Sequence, residues 1–199
     1  MTKRLAYYII KKSIKKEVKT IEHLFEQKIS SEEIYNGKIV NLTKDTVLLE
    51  NNKTALREVI HHNGGVGILP LLEDNKVILV KQFRYPYDKV LYEIPAGKLE
   101  KGENPLECGK RELTEETGYN AEEFIFLGEI YPTPAYNTEI ITIYLAKGLT
   151  LSKQHLDDDE FLDTEIFTLE ELREMIENNI IKDAKTQIAI LKTLLKEVK

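Results

Sequence analysis

The sequence predicts an α/β (α+β) protein, a sandwich built on a mixed sheet and preceded by a small antiparallel β module. Three observations carry that prediction. Apolar runs of strand length recur between turn-forming residues through most of the chain. A few segments show helical rather than alternating apolar spacing. Strands and helices are interspersed, which argues for a layered sheet and against a bundle. The 199 residues, 42% hydrophobic, suffice for one good core or a main domain with an appendage.

The elements follow in order. Residues 1–28 form a basic N-terminal extension, with seven Lys/Arg and one acid, Glu17, before residue 20. Tyr7, Ile10, Ile14, Val18, Ile21 and Phe25 keep helical spacing, so a helix is expected. Such a helix lies on an anionic membrane surface, packs on its own protein, or extends the chain without a role. Residues 29–63 read as the β module, with strands GKIVNL, TVLLEN and ALREVIHH divided by turns TKD and NNK. A sheet so thin is marginal alone and needs a packing partner, for which a second subunit is one choice.

The main domain is expected over 64–199. GVGILPLL, the turn EDNK and VILVKQF predict a hairpin with strands buried on both faces. VLYEIPAG is a further strand, then come a helix over 105–117, strands FIFLGEIY and IITIYLAKGL around the loop PTPAYNTE, and the strand DTEIFTL running into the helix LEELREMIENN. The last helix, within KDAKTQIAILKTLLKEV, carries Ile188, Leu191, Leu194 and Leu195 on one stripe.

Composition excludes several classes of function. A net charge of −6 without a basic patch interleaved with aromatics disfavours nucleic-acid binding. The single cysteine, Cys108, rules out an internal disulfide framework and reads as a packed side chain in a reducing compartment. No apolar run reaches the ~20 residues of a membrane span, and LAYYII lacks a cleavage site. The protein is therefore expected to be soluble and cytoplasmic.

Chemistry concentrates in GKLEKGENPLECGKRELTEETGY, residues 97–119. Asn104 is a good N-cap, Pro105 suits the first turn, Glu107 stands at the capping-box position, and Gly118 is a C-terminal stop. On that helix Glu112, Glu115 and Glu116 gather like charge on one face, a mildly destabilising arrangement. A hard divalent cation removes the repulsion, and oxygen ligands without His or Cys select Mg2+ or Mn2+ over zinc. Mg2+ shares its coordination with substrate phosphates, so a phosphate-bearing substrate is the natural partner. Gly97 and Gly102 permit tight paths in the preceding loop, where a carbonyl near Ala96 can add an oxygen ligand, while Glu103 ties the loop to the helix start.

Gly97, Glu103, Arg111, Glu112, Leu113, Glu115, Glu116, Gly118 and Tyr119 fill every defined position of the pattern G-x5-E-x7-R-E-U-x-E-E-x-G-U. The segment thereby resembles the Nudix hydrolase family. The resemblance implies an α/β/α sandwich that hydrolyses a nucleoside diphosphate linked to another group, with metal ligands at Glu112, Glu115, Glu116 and the Ala96 carbonyl and an orienting role for Arg111. Pro134, sixteen residues beyond Gly118, and the N-terminal strand module are similar to the ADP-ribose pyrophosphatase subgroup. That likeness implies Mg2+-dependent hydrolysis of ADP-ribose to AMP and ribose 5-phosphate, with Mn2+ as a substitute ion, by a homodimer. It makes Arg57, Arg84 and Glu93 candidates for holding the nucleotide and Glu139 the group that orients or deprotonates the attacking water; Ala135 stands where many relatives have Gly. Tyr35 is a candidate to stack on adenine.

Other readings stand beside these. Arg57 is otherwise an exposed strand residue, and Arg84 and Glu93 otherwise pair with each other. The run 157–160, DDDE, reads as a solvated loop, and His61 and His62 point to opposite faces of a strand, a poor chelate. Other nucleotide sugars, ADP-glucose or GDP-mannose, are the alternative substrates. A non-catalytic ADP-ribose sensor is expected to lose carboxylates of the box and to carry an added DNA-binding domain; here the box is complete and no basic domain follows the final helix.

Overall fold

The computed structural model describes residues 24–157 and 160–197, in two compact units, one ending at His61 and the other beginning at His62. The helix expected within residues 1–28 lies outside the described residues as far as residue 23, and Gln27 and Lys28 already belong to a strand.

The first unit is a three-stranded antiparallel sheet of β1 (Gln27–Asn36), β2 (Asn41–Leu48) and β3 (Thr54–His61), with β2 central. Three strands were expected, but not these bounds. GKIVNL is mostly the β1–β2 turn, and TKD lies in the middle of β2, where Thr43, Lys44 and Asp45 pair with Val59, Glu58 and Arg57. The true first strand, QKISSEEIYN, is exposed along its whole length. With neither face buried it carries no polar–apolar alternation to read. Asp45, buried in this sheet, accepts from Ser31 Oγ at 2.5 Å and pairs with Lys28 at 3.1 Å.

In the second unit, β4 (Gly65–Pro70), β7 (Ala96–Lys98), β8 (Tyr119–Ile130) and β9 (Ile141–Leu151) form a mixed sheet in the order β7-β4-β9-β8, with β4 and β9 parallel. A second, antiparallel sheet runs β10-β5-β6, from β5 (Lys76–Arg84), β6 (Lys89–Glu93) and β10 (Leu162–Thr168). The helices are α1 (Pro105–Thr117), α2 (Leu169–Glu177) and α3 (Ala184–Glu197). β4 is buried throughout and serves two layers. Val66 and Ile68 pack under α1 with Cys108 and Leu113. Leu69 joins the larger cluster with Val77, Leu79, Ile143, Leu172, Ile181 and Ile190 on the other side. Sheet between helices is the predicted sandwich.

Three expectations are corrected here. β4 and β5 do not form a hairpin; they enter different sheets and meet through one isolated bridge, Leu71 to Val77. VLYEIPAG is two strands, because Pro95 has no N–H for a ladder and the chain changes sheets there. On α3 the buried stripe is Thr186, Ala189, Ile190 and Thr193, while Leu191 and Leu195 are 42% and 71% exposed. The hydroxyls of that stripe are satisfied inside the fold, Thr193 by Ala189 C=O and Thr186 by Asp183, so polarity did not mark the outer face. Among the described residues no helix is long and apolar enough to cross a membrane.

Candidate active site

The site is built on α1. Asn104 accepts the Leu106 N–H at 2.8 Å, Pro105 opens the first turn, and Gly118 closes the helix in the left-handed region at φ 71°. Glu107 does not complete a capping box; it pairs with Lys110. Gly109 lets the helix approach β4 closely, since a Cβ there would stand 3.2 Å from Val66.

Two backbone features of β7 receive the carboxylates. Glu112 lies against Gly97 so closely that a Cβ on residue 97 would fall 1.8 Å from Glu112 Oε1. Glu116, 3% exposed, accepts the Ala96 N–H at 3.1 Å. Arg111 reaches along the same edge: its Nη1 lies 2.9 Å from Glu112 and 2.7 Å from Glu115, and its Nη2 lies 3.5 Å from Glu103 and 3.3 Å from Cys108 Sγ. Glu103 also accepts the Glu100 N–H at 2.9 Å, which fastens the loop before the helix. Cys108 is packed, as expected, and burial together with the Glu112 charge pushes its thiol up to about 12.

Electrostatics set these acids apart from surface carboxylates. Burial and the charges of Glu112 and Glu160 push Glu116 up to about 9. Burial, resisted by Arg111 and reinforced by Glu115, pushes Glu112 up to about 7. Two neighbouring carboxylates that burial and mutual repulsion push upward are hard oxygen donors of the kind that suits a divalent ion. Among the described residues no group of three or more His, Cys, Asp or Glu is placed to hold a metal ion; Arg111 bridges Glu112 and Glu115. The chemistry of the donors, all carboxylate oxygens on one helix face, suits a hard divalent ion.

The remaining candidates fall into three groups. Arg84 and Glu93 pair with each other through two bonds, at 2.6 and 2.8 Å, and Lys185 also bonds Glu93. Burial opposes the charge on Glu93, but Arg84 and Lys185 hold it down at about 2. Lys185 pairs further with Asp183 at 3.1 Å, and Asp183 caps α3 through Thr186. Glu139 sits beside Asn137, whose Nδ2 donates to it at 3.3 Å, and its Oε1 is 3.6 Å from His62 Nδ1. That nitrogen accepts the Gly64 N–H at 3.0 Å. Pro134 is exposed in the turn following Thr133. Tyr35 and Arg57 belong to the first unit, where Tyr35 is exposed and Arg57 forms an ion pair with Glu26.

Glu160 and Lys185 were not picked out from the sequence. Glu160 lies within DDDE, read as solvated; instead it accepts from Gln82 at 3.3 Å and its field reaches Glu112 and Glu116. A lone Lys after an Asp at a helix start carries no signal of burial. Only the fold brings Lys185 onto Glu93, 92 residues away.

Comparison with known proteins adds to this geometry. Residues 61–187 match the NUDIX domain, and residues 26–60 match the nucleoside diphosphate sugar hydrolase N-terminal domain. The chain is 41% identical to an ADP-ribose pyrophosphatase of Bacillus subtilis, over 89% of this chain and 97% of that one. It is 44% identical to a methanol dehydrogenase activator of Bacillus methanolicus, over 84% of this chain and 92% of the relative. A solved structure described as an ADP compounds hydrolase superposes with a TM-score of 0.77 at 21% identity, covering 85% of this chain and 93% of the other.

Proposed function

The chain belongs to the Nudix family, and we propose that it is an ADP-ribose pyrophosphatase, hydrolysing ADP-ribose to AMP and ribose 5-phosphate. The observation that carries the reading is the pair Glu112 and Glu116 on one helix face, Glu112 half-buried against Gly97 and Glu116 buried against the Ala96 N–H, with both carboxyls pushed upward by burial. Its likeness to a named ADP-ribose pyrophosphatase over nearly the whole chain supports the choice of substrate.

Glu112, Glu115, Glu116 and the Ala96 carbonyl would hold Mg2+, or Mn2+ in its place, and a bound ion supplies Lewis acidity toward the pyrophosphate and a water of lowered pKa. Arg111 holds Glu112 and Glu115 by charge-assisted bonds, which fixes their carboxylates before any ligand arrives. Arg84 presents its free edge to the nucleotide. Glu93, with both oxygens engaged by Arg84 and Lys185, acts through Arg84 rather than as an acceptor for adenine. The Pro134 turn adds a nucleotide contact in this reading. A carboxylate must take the proton of the attacking water. Glu139, beside Asn137 and His62, and Glu160, bonded to Gln82, are the candidates. The reaction is placed in the cytoplasm, consistent with a buried free cysteine, and the enzyme works as a homodimer with no nucleic-acid partner.

The experiment is a substrate panel. Purified protein with Mg2+ is given ADP-ribose, ADP-glucose, GDP-mannose, NADH and diadenosine polyphosphates, and products are identified by mass spectrometry. AMP and ribose 5-phosphate as the fastest products support the proposal; inertness toward all five sinks it. Faster turnover of a sugar nucleotide selects the second reading, which the N-terminal match to nucleoside diphosphate sugar hydrolases favours. Comparing E139Q with E160Q assigns the base, since only the true base loses turnover while retaining substrate affinity.

A further inference from the structure

Four charged side chains meet where the chain passes from one sheet to the other. Glu93, the buried last residue of β6, accepts Arg84 Nε on Oε1 at 2.6 Å and Arg84 Nη2 on Oε2 at 2.8 Å. Lys185, in the first turn of α3, also bonds Oε2 and reaches Asp183 at 3.1 Å. The backbone beside Glu93 is held from the same turn: Thr186 Oγ1 accepts the Ile94 N–H at 2.8 Å and donates to Asp183 at 2.5 Å. Pro95 C=O then accepts the Ile68 N–H of β4 at 2.9 Å, and Ala96 N–H goes to Glu116. Each residue from Glu93 to Ala96 thus has a fixed partner, and α3 supplies the first two. The ends of the charged cluster differ. The Lys185 side chain is 11% exposed, whereas that of Arg84 is 39% exposed. Among the described residues Arg84 Nη1 bonds nothing. A guanidinium is a rigid planar fork, so the direction of that free edge is set by the carboxylate gripping Nε and Nη2. The carboxylate in turn keeps its direction through its other bond, to Lys185.

We propose that Lys185 is a positioning residue for nucleotide binding: it fixes the Glu93 carboxylate, and Glu93 aims the free edge of Arg84 at the substrate. This rests on the reading of Arg84 as a contact to the nucleotide. A binding group whose supporting contacts are loose binds less well even though it is present. Lys185 touches no reacting atom, so its loss shows in KM while kcat is nearly kept.

The test combines kinetics with proton exchange. Steady-state hydrolysis of ADP-ribose is measured for the wild type, K185M, R84A and the double variant, and exchange of the Arg84 Nε–H with water is followed by NMR. K185M should raise KM roughly tenfold with kcat within about threefold, and should add nothing to the loss in R84A, because the two residues act as one unit. The Arg84 Nε–H should exchange faster in K185M than in the wild type. K185Q, which keeps a donor for Glu93 without the charge, takes the place of K185M if that variant does not fold, with the same direction of change in KM and exchange. A KM within about twofold of the wild type overturns the proposal, as does a kcat that falls as far as KM rises. Losses that multiply in the double variant overturn it too. R84A with the KM of the wild type removes the group through which Lys185 acts and overturns it as well. A wild-type protein inert toward ADP-ribose sinks the functional reading and the kinetic half of the proposal together; the exchange of the Arg84 Nε–H then decides separately whether Lys185 fixes Arg84, and equal exchange in the two proteins shows that it does not.

Discussion

At Gly97 the space for a side chain is already taken by the carboxylate of Glu112. Gly97→Ala should therefore displace Glu112, lowering kcat/KM by about a hundredfold while circular dichroism stays that of the wild type. It should also weaken stabilisation by Mg2+, which for the wild type reaches about 2.7 kcal/mol at a hundred times the dissociation constant. Glu93 makes a second prediction, about acid. Its pKa is depressed to about 2 in the fold from an ordinary 4.5, so its contribution is complete above about 4.5 and is lost as pH falls through about 2. Buried at 2% exposure, the group supplies at most on the order of 3 kcal/mol by this linkage. Urea unfolding between pH 7 and pH 2 should show that slope. Glu93→Gln should be less stable at neutral pH, with Arg84 deprived of its carboxylate and Lys185 left with Asp183 alone, and should lose less on acidification.

At the scale of elements, capping chemistry is the most directly testable. Thr168 and Glu171 form a reciprocal capping box at the start of α2, and Thr168 Oγ1 accepts the Glu171 N–H at 3.1 Å. Thr168→Ala should cost about 1 kcal/mol and lower Tm by about 2–4 °C, read by calorimetry, with ADP-ribose turnover unchanged. The same chemistry explains why α1 was legible to the residue: Asn104, Pro105 and Gly118 are local signals that survive into the structure. β1 was not legible, because a strand exposed on every residue has no alternation. The β4–β5 hairpin was misread because two apolar runs around a short turn look alike whether they pair or part into separate sheets. Of the site, the carboxylates of α1 were legible through fixed spacing along one helix. The placement of Glu160 and Lys185 was not, because it comes from contacts between segments far apart in sequence.

For the molecule as a whole, the first unit poses the question of assembly. Ile29, Ile34, Tyr35 and Leu56 are large side chains left exposed on a sheet with few buried residues of its own. A homodimer covering them should sediment at twice the 23.0 kDa of the chain, and Ile34→Asp together with Leu56→Asp should shift it to monomer; a wild-type monomer at micromolar concentration would refute the dimer. In the second unit, β4 is one strand with two obligations. Val66 and Ile68 form the floor under α1, while Leu69 belongs to the main cluster on the far side. The bed of α1 thus has no foldon of its own: opening it means opening the centre of the unit. Amides of β4 should exchange only through global unfolding, and urea should abolish hydrolysis and the circular dichroism of the second unit at one midpoint. An enzyme so arranged does not tire gradually under stress; each molecule is either working or unfolded.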